Sequence, residues 1–265
     1  MLNPSQNGAV VEVTQLSKSY QTRQNEDVCA LTKVDIRLDP GNFVAVVGPS
    51  GCGKSTLLSL LAGLIDPTSG QILIDGDPID RPHPKVGVVF QSDLLLYWRT
   101  ILENVLLPIE IKKLDVEAHK ARALALLEQV GLGQFANKYP SELSGGMRQR
   151  AAICRALIQE PGLLLMDEPF GALDALTREQ MNIELLRVWR ARAKTILFVT
   201  HSIPEALFLS DRILVMSRRP GRIVGDYRVE LARPRPIDIL TDPEMARLAS
   251  EIRGKMAVAE HATEM

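Results

Sequence analysis

Cysteines, aromatic residues and net charge are all scarce in this sequence. Its 265 residues include three cysteines and 5% aromatic residues, and the formal net charge is -1 at pH 7. Cys29, Cys52 and Cys154 form no C-x-x-C pair and no metal-ligand spacing, which favours isolated thiols over a disulfide framework or a structural metal. Because the net charge is close to zero, the protein has no strong electrostatic field that would attract it to nucleic acid or to an anionic membrane.

Long apolar runs are also missing. No stretch approaches the roughly 18 consecutive apolar residues that a bilayer-spanning helix needs. The first residues, MLNPSQNGAVVEV, lack a basic segment followed by an apolar one. We therefore expect no signal peptide and no membrane-spanning segment. With 46% apolar and 24% charged residues, the chain suits one large α/β domain, or a core with a smaller subdomain.

Short apolar runs alternate with helical patterns, as expected for an α/β fold. VVEVTQLSKSY and ALTKVDIRLD partly alternate and predict strands near a sheet edge, and a helix is expected from Lys54 to Leu64. The helical periodicity within residues 92–143 predicts a mostly helical insertion. PGRIVGDYRVEL is expected to form a terminal hairpin, followed by a proline-broken link into a polar helix. The predicted buried strands are 43–48, 71–76, 85–91, 162–169, 195–202 and 212–217.

GPSGCGKST, residues 48–56, fits the pattern G-x-x-x-x-G-K-[ST] between a predicted buried strand and a predicted helix. In this loop backbone amides turn inward to hold phosphate, and the helix N-terminus adds positive charge. Lys54 can reach the β- and γ-phosphates, the Ser55 hydroxyl can bind Mg²⁺, and Thr56 can contact phosphate. The candidate nucleotide-binding residues are Gly48, Pro49, Ser50, Gly51, Cys52, Gly53, Lys54, Ser55 and Thr56.

Polar residues follow three other predicted strands, where ligands of open α/β sheets bind. LLLMDEP ends in Asp167, a candidate Mg²⁺ ligand, and Glu168, which can orient and polarise an attacking water. His201, after TILFVT, is a candidate contact to the γ-phosphate. Gln91, after VGVVF, is a candidate sensor of Mg²⁺ or of the attacking water. For His201 and Gln91 the position alone leaves a bystander role equally open.

LSGGMRQR, residues 143–150, places two glycines at the start of a predicted helix, although glycine weakens helices by about 1 kcal/mol each relative to alanine. Ser144 suits an N-cap, and Gly145 and Gly146 expose amides at the helix start. This is a second potential anion site on a chain whose residues 48–56 already hold one triphosphate. It suggests a nucleotide shared between two copies; the alternative is a merely capped helix.

These motifs together resemble the ATP-binding subunit of an ABC transporter, from about residue 10 to 225. The phosphate loop, Gln91, LSGGM, LLLMDEP, GALD at 171–174 and His201 occur in the family's order and at family-like spacing. The resemblance implies an α/β fold of the P-loop NTPase (RecA-like) type, with an antiparallel β edge and an inserted helical subdomain. It places the ATPase domain at 10–231, the helical subdomain at about 92–143 and a C-terminal extension at 232–265.

The resemblance also implies a head-to-tail dimer with two ATP molecules at the interface. Tyr20 matches the aromatic residue that stacks on adenine, and Asp174 lies in the loop that links the two sites. Ser144, Gly145 and Gly146 match the signature that contacts the γ-phosphate of ATP held by the other subunit. Met147 stands where many relatives have glutamine, and Gly171 where serine is common; we expect both to be tolerated.

A narrower resemblance to importers of the nitrate, sulfonate and taurine type comes from VVFQSDLLLYWRTILENV, DEPFGALDALTREQM and RRPGRIV. In that family the region of Tyr97 and Trp98 receives a short cytoplasmic helix of the membrane subunit. The alternative for Trp98 is a core position in the subdomain. The extension after Arg233 is longer than in the simplest members, and it is either regulatory or a brace for the dimer.

The sequence therefore predicts an Mg²⁺-dependent ATPase subunit that powers uptake of a small anionic solute, peripheral to the cytoplasmic face of the inner membrane. The implied partners are a second identical or homologous ATPase subunit, separate transmembrane permease subunits and, indirectly, a periplasmic or lipid-anchored solute-binding protein. The alternatives are an ABC-type ATPase that moves no solute, the ATPase of an exporter, and a plain P-loop kinase or GTPase. The last would have no use for LSGGM.

Overall fold

A computed structural model describes residues 8–23, 25–171, 173–190, 194–235 and 237–261. Their contacts group into two compact units. The first comprises the described residues of Met1–His83 and Ala193–Met265, and the second those of Pro84–Arg192. Among the described residues, no helix combines the length and the apolar character that crossing a bilayer requires.

The first unit contains an antiparallel sheet. Strands β1 (Val11–Gln21) and β2 (Asp27–Leu38) form its long pair, and β4 (Ser69–Ile74) with the short β5 (Asp77–Pro78) completes the order β2-β1-β4-β5. The alternation of buried and exposed residues in β2 matches a strand with one face on the core. The predicted antiparallel edge is thereby confirmed.

The first unit also holds four neighbouring strands built around β3 (Phe43–Val47). β3 lies between β8 (Thr195–Thr200) and β9 (Arg212–Met216), parallel to both, and β10 (Ile223–Arg228) pairs antiparallel with β9. Every residue of β3 and β8 is buried, as continuous apolar runs predict for central parallel strands. Helix α1 (Lys54–Leu61) follows β3, and α6 (Ile203–Leu209) follows β8. α1 thus ends three residues before the predicted Leu64.

The second unit pairs β6 (Val86–Val89) in parallel with β7 (Leu163–Asp167) and is otherwise helical. Its helices are α2 (Ile101–Ile111), α3 (Val116–Gln129), α4 (Gly145–Leu157) and α5 (Ala175–Arg190), with short 3₁₀ turns at Gly133–Phe135 and Pro140–Glu142. The helical character predicted within 92–143 agrees with α2, α3 and these turns. The predicted strand 85–91 is too long, because β6 stops at Val89.

The C-terminal prediction is partly wrong. PGRIVGDYRVEL does not form a hairpin by itself; it contributes only β10, and the hairpin joins β10 to β9. The polar helix is confirmed as α7 (Pro243–His261), whose Met245, Ala249 and Ile252 are buried. Of the predicted extension, Pro236 and residues 262–265 lie outside the described residues.

Candidate nucleotide site and coupling elements

The phosphate loop of the first unit runs from the end of β3 to the start of α1, as the motif predicts. Gly53 caps α1 with φ 107°, and Gly51 has φ 74°, so both occupy the left-handed region that favours glycine. A Cβ built on Gly51 meets nothing within 4 Å. A Cβ on Gly53 would lie 2.7 Å from Leu31 Cδ2. Gly51 therefore leaves open space beside the loop, whereas Gly53 lets the loop pack on β2.

The ammonium group of Lys54 lies within this loop. Lys54 is 6% exposed, and Nζ donates to the carbonyl oxygens of Gly48 at 2.8 Å and Pro49 at 2.9 Å. Nζ also lies 3.9 Å from Cys52 Sγ. A buried ammonium whose recorded partners are two carbonyls and a thiol favours a negatively charged partner. Burial raises the pKa of the neighbouring Cys52 thiol, against the opposing effect of Lys54. The loop thus presents a neutral thiol, a cation and helix-start amides, which fits polyphosphate.

The remaining candidates of the first unit's loop and strands are partly accessible. Ser50 and Ser55 are exposed, and Pro49 and Thr56 are half-buried. Tyr20 lies on β1 with 41% exposure, and Lys18 Nζ stands 5.2 Å from its ring centroid. Lys18 also donates to the Asp66 carbonyl at 2.6 Å. The Tyr20 ring is therefore accessible and supported by a cation, which suits stacking with a base.

His201 is exposed directly after β8, and its neighbours hold the turn. The Thr200 hydroxyl donates to the carboxylate of Glu205, a residue that is 8% exposed, and accepts from Ser202 N at 3.0 Å. Ser202 Oγ accepts from Glu205 N at 3.4 Å and caps α6. These contacts fix the backbone on the C-terminal side of His201. Thr200, Ser202 and Glu205 were not predicted; the spacing of serine before Pro204 and Glu205 is the signal for this cap.

In the second unit, the acidic pair lies at the end of β7. Asp167 is its last residue, and Glu168 follows with φ 42°, an uncommon conformation for a non-glycine residue. Both are half-buried. A Cβ built on Gly171 would lie 3.7 Å from Glu168 Oε2 and 3.8 Å from Gln91 Nε2. The structure therefore brings the Glu168 and Gln91 side chains close to the same backbone position, Gly171. Gln91 lies two residues beyond the end of β6.

Side chains of α4 hold the segment that follows Gln91. Gln149 is 4% exposed and donates Nε2 to the Phe90 carbonyl at 3.2 Å. Arg148 Nε donates to Asp93 Oδ2 at 2.9 Å, and the Arg155 guanidinium donates to the carbonyls of Asp93 and Leu94 at 2.6 and 2.7 Å. The helix that begins with the glycine pair is thus bonded directly to residues 90–94. Sequence reasoning missed this connection.

Ser144, Gly145 and Gly146 form the start of α4 as predicted. Ser144 Oγ caps the helix by accepting from Met147 N at 3.4 Å. Gly145 is exposed, and a Cβ on it would meet nothing closer than 3.9 Å. Gly146 is buried, and a Cβ there would lie 2.9 Å from Thr177 Cγ2. The two glycines therefore differ: Gly145 is open to a ligand, and Gly146 is required by packing on α5.

Asp174 stands at the start of α5 and caps that helix. Its carboxylate accepts from Thr177 N at 3.0 Å and from Thr177 Oγ1 at 2.7 Å, and the hydroxyl contact is the main cause that lowers the pKa of Asp174. Thr177 thus contacts Asp174 with its hydroxyl and faces Gly146 with its methyl group. Ala172 of the GALD motif lies outside the described residues.

A loop with exposed aromatic side chains follows the residues held by α4. Trp98 is 75% exposed and Tyr97 55%, so the alternative of a core position for Trp98 is wrong. Asn104 of α2 is fully buried and holds this loop. Its Oδ1 accepts from Leu96 N at 2.7 Å, and its Nδ2 donates to the carbonyls of Leu96, Arg99 and Thr100 at 2.9–3.1 Å. The exposed pair is therefore presented by a fixed loop.

Magnesium would need oxygen ligands supplied together with a nucleotide. Among the described residues, no cluster of three or more His, Cys, Asp or Glu side chains could hold a metal by itself. The Ser55 hydroxyl and the half-buried Asp167 carboxylate are hard oxygen donors of the kind that Mg²⁺ prefers. Their chemistry fits Mg²⁺ that is bound mainly through phosphate oxygens and water.

Comparisons with known proteins identify the family of this chain. The family model described as ABC transporter matches residues 31–171, just over half of the chain. The taurine import ATP-binding protein TauB of Rhizobium johnstonii is 44% identical over 260 residues, covering 96% of this chain and 98% of that protein. The aliphatic sulfonates import ATP-binding protein SsuB of Bacillus cereus is 44% identical over 225 residues, covering 85% and 88%.

A solved structure shows the same fold. The dimeric, post-hydrolysis ATP-binding cassette MJ0796, bound to ADP and Pi, aligns with a TM-score of 0.73 and 34% identity, covering 84% of this chain and all of that one. The predicted P-loop NTPase fold is confirmed by this likeness. With the phosphate loop, the family match and these relatives together, the chain belongs to the ABC transporter family and is an ATP-binding, ATP-hydrolysing subunit.

Proposed function

We propose that this protein is the ATPase subunit of an importer for small sulfonates such as taurine. The observation that carries the proposal is the presence, on one chain, of a phosphate loop and of a separate capped glycine pair at the start of α4. One triphosphate does not need both, so the second is available to the nucleotide of a partner subunit. The named relatives supply the direction of transport and the solute class.

Two copies arranged head to tail would each complete the other's nucleotide site. The phosphate loop of one copy holds the triphosphate, with Lys54 on the β- and γ-phosphates and Tyr20 against the adenine. Ser144, Gly145 and Gly146 of the mate approach the γ-phosphate, and the open position of Gly145 supports this role. Asp174 links the two sites from its position at the start of α5. A dimer is also the state of the solved cassette.

Hydrolysis then depends on a carboxylate that orients water. Glu168 aligns the attacking water and accepts its proton, His201 contacts the γ-phosphate, and Lys54 offsets the charge that develops on it. Ser55, Asp167 and Gln91 would hold Mg²⁺, which would supply further charge neutralisation. Gln91 suits the roles of metal ligand and sensor because its Nε2 and Glu168 Oε2 both lie near Gly171, and because it belongs to the segment 90–94 that α4 holds.

Transport requires partners that this chain does not contain. The exposed Tyr97 and Trp98 suit a docking site for a cytoplasmic helix of a permease subunit, because exposed aromatic side chains on a fixed loop are typical interface anchors. The chain would then lie peripherally at the cytoplasmic face of the inner membrane. A periplasmic or lipid-anchored solute-binding protein would act indirectly, by delivering the solute to the permease.

The hydrolytic role is tested with Glu168→Gln. This variant should bind ATP normally, lose most turnover and accumulate as an ATP-bound dimer, because the amide cannot accept the proton of the attacking water. Turnover by phosphate release and dimerisation by light scattering are the measurements. Glu117→Gln, an exposed change on α3, is the matched control. Near-normal hydrolysis by Glu168→Gln would remove this residue from catalysis.

The importer assignment is tested by reconstitution with the permease and binding protein encoded beside it. Taurine or a short alkanesulfonate, delivered by the binding protein, should stimulate ATP hydrolysis and accumulate inside vesicles. Nitrate is the control anion. Stimulation by a solute on the cytoplasmic side alone would favour an exporter, and co-purification with nucleic acid rather than membrane proteins would favour an ATPase that moves no solute.

A further inference from the structure

A cavity of about 570 Å³ lies in the first unit, between the turn that joins β9 to β10 and helix α7. It is within the range of small-molecule sites. Four cationic side chains and several apolar ones line it, and none of its lining residues is acidic. The lining residues that matter here are Arg218, Arg219, Arg222, Lys255, Pro220 and Val258.

These four cations stand without counter-charges in the described part of the chain. No ion pair or side-chain hydrogen bond joins their charged groups to another described residue. Nearby arginines of the same unit behave differently: Arg212 is paired with Asp226 at 2.7 Å, and Arg233 with Asp211 at 2.7 Å. Four like charges around one concave space repel each other, and an anion bound there would relieve that repulsion.

We propose that this cavity binds a small amphiphilic anion, with a phosphate, sulfonate or carboxylate head and a short apolar body. The head would contact the three arginines and Lys255, and the body would lie against Pro220 and Val258. Guanidinium groups suit such heads because their planar donors match oxyanion geometry. None of its lining residues is among those proposed for nucleotide, signature or permease contacts. Lys255 and Val258 give the C-terminal helix a part in the site.

The turn that forms one wall of the cavity also touches the phosphate loop. A Cβ built on Gly221 would lie 2.1 Å from the Cys52 carbonyl oxygen. Gly221 N donates to the Ala30 carbonyl at 2.8 Å, and its carbonyl accepts from Thr32 N at 3.0 Å. Because a Cβ would not fit between them, the Gly221 backbone packs directly on the loop, and we infer that a displacement of the turn would shift the loop. Anion binding in the cavity therefore changes nucleotide affinity, and nucleotide changes anion affinity by the same factor.

The turn itself is held by Ser217. Its hydroxyl lies within 3.2 Å of the carbonyls of Arg218 and Pro220, and accepts from Arg222 N at 3.1 Å. The arginines are thus carried on a backbone of defined shape rather than on a loose loop. The side chains of these cations are exposed, so the preorganisation is that of the backbone, which does not have to be ordered when an anion binds.

Calorimetric titration of the full chain tests the anion site. The protein is saturated with Mg-ADP so that the phosphate loop is blocked, and hexanesulfonate, sulfate and vesicles of anionic phospholipid are the three probes. The double variant Arg218→Gln/Lys255→Gln should bind the probe about tenfold more weakly or worse, since each charged contact is worth more than a neutral hydrogen bond. Arg253→Gln, one charge removed from α7 outside the cavity lining, is the matched control and should bind within twofold.

The outcomes separate the possible sources of the anion. Binding of hexanesulfonate that the double variant loses supports a free small anion. Binding only of vesicles, lost in the double variant, supports a lipid head group at the same site. Equal loss in Arg253→Gln, or no binding of any probe by a protein with native circular dichroism, overturns the proposal. None of these readouts uses hydrolysis, so failure of the proposed transport function would not mimic them.

The coupling to the phosphate loop is tested with a fluorescent ADP analogue. Its dissociation constant is measured with and without the bound probe in wild type and in Lys255→Gln. We expect a change of about threefold or more in wild type, the size of a weak allosteric coupling, and a smaller one in the variant. An unchanged dissociation constant at saturating probe would refute the coupling through Gly221.

Discussion

Alanine substitutions of the two glycines at the start of α4 should change the stability of the protein differently, because the surroundings of the two residues differ. Gly145→Ala places a methyl group at ordinary van der Waals distance from its neighbours, since the nearest atoms lie 3.9 Å away. Gly146→Ala places it 2.9 Å from Thr177 Cγ2, closer than carbon atoms approach. Thr177 cannot simply rotate away, because its hydroxyl is bonded to Asp174.

The free energies follow from two competing effects. Alanine stabilises a helix position relative to glycine by about 0.8–1 kcal/mol, and less in the first turn. Overpacking costs about 1–3 kcal/mol. Gly145→Ala should therefore raise the free energy of unfolding slightly. The free energy of unfolding of Gly146→Ala should be about 1–3 kcal/mol lower than that of Gly145→Ala. Replacing Thr177 by serine removes the methyl group, so in that background the difference should shrink to below about 0.5 kcal/mol.

Urea unfolding of the nucleotide-free protein measures these differences through the midpoint at constant slope. Hydrolysis is measured in parallel. We expect both alanine variants to lose turnover, because both glycines contact the mate's γ-phosphate in the proposed dimer, whereas only Gly146→Ala loses stability. Equal stability of Gly145→Ala and Gly146→Ala would refute the packing role of Gly146, and full turnover in Gly145→Ala would refute its contact with the partner's nucleotide.

Two further predictions concern buried polar side chains. Asn104→Ala should lower the free energy of unfolding by about 1–3 kcal/mol, because it leaves the Leu96 amide and several carbonyls without their partner. It should also weaken assembly with the permease in pull-down assays. An unchanged complex would contradict the proposal that Asn104 holds the aromatic loop in the shape that the permease binds. Arg235→Met should cost about 3–5 kcal/mol, because Arg235 donates to the carbonyls of Leu207 and Phe208 at the end of α6. Arg235→Lys is the control for charge and should recover part of that loss in thermal unfolding.

Arg235 also shows why the C-terminal segment could not be understood from sequence alone. Its pKa is lowered to about 10 by burial and by the nearby Arg233, yet it stays charged at neutral pH. The sequence ARPRP reads as an exposed proline-broken link, because two arginines among prolines carry no apolar period. Only the tertiary arrangement brings Arg235 to the carbonyl end of α6, where it satisfies oxygen atoms that the helix leaves open.

Local chemistry explains what could be predicted. β3 and β8 are buried along their whole length, so their apolar runs identify them without reference to the rest of the chain. The phosphate loop and the cap at Ser144 are likewise set by neighbouring residues. The contacts between α4 and residues 90–94 join residues 55 to 62 positions apart. The periodicity of a single sequence does not indicate which distant residues contact each other.

The hairpin error has a similar cause. PGRIVGDYRVEL is expected from the sequence to form a hairpin by itself, but the turn at Pro220 and Gly221 joins β10 to the preceding strand β9. Gly221 is bonded to Ala30 and Thr32 of β2, and its close approach to Cys52 excludes any side chain. The turn is therefore selected by the elements it packs against, which lie about 170–190 residues earlier in the sequence.

Each of the two segments proposed to bind phosphate contains glycines of two kinds. Gly51 and Gly145 border space that a ligand can enter, whereas Gly53 and Gly146 border the side chains of Leu31 and Thr177. A sequence motif shows glycine at both kinds of position. At the first kind a bound ligand would exclude a Cβ, and at the second kind a neighbouring side chain excludes it. The close fit of the second kind fixes the backbone, and in the proposed sites that fixed backbone would hold the amides of the first kind in place before phosphate binds. Affinity for the triphosphate should therefore depend also on Leu31 and Thr177, through the backbone that they hold in place.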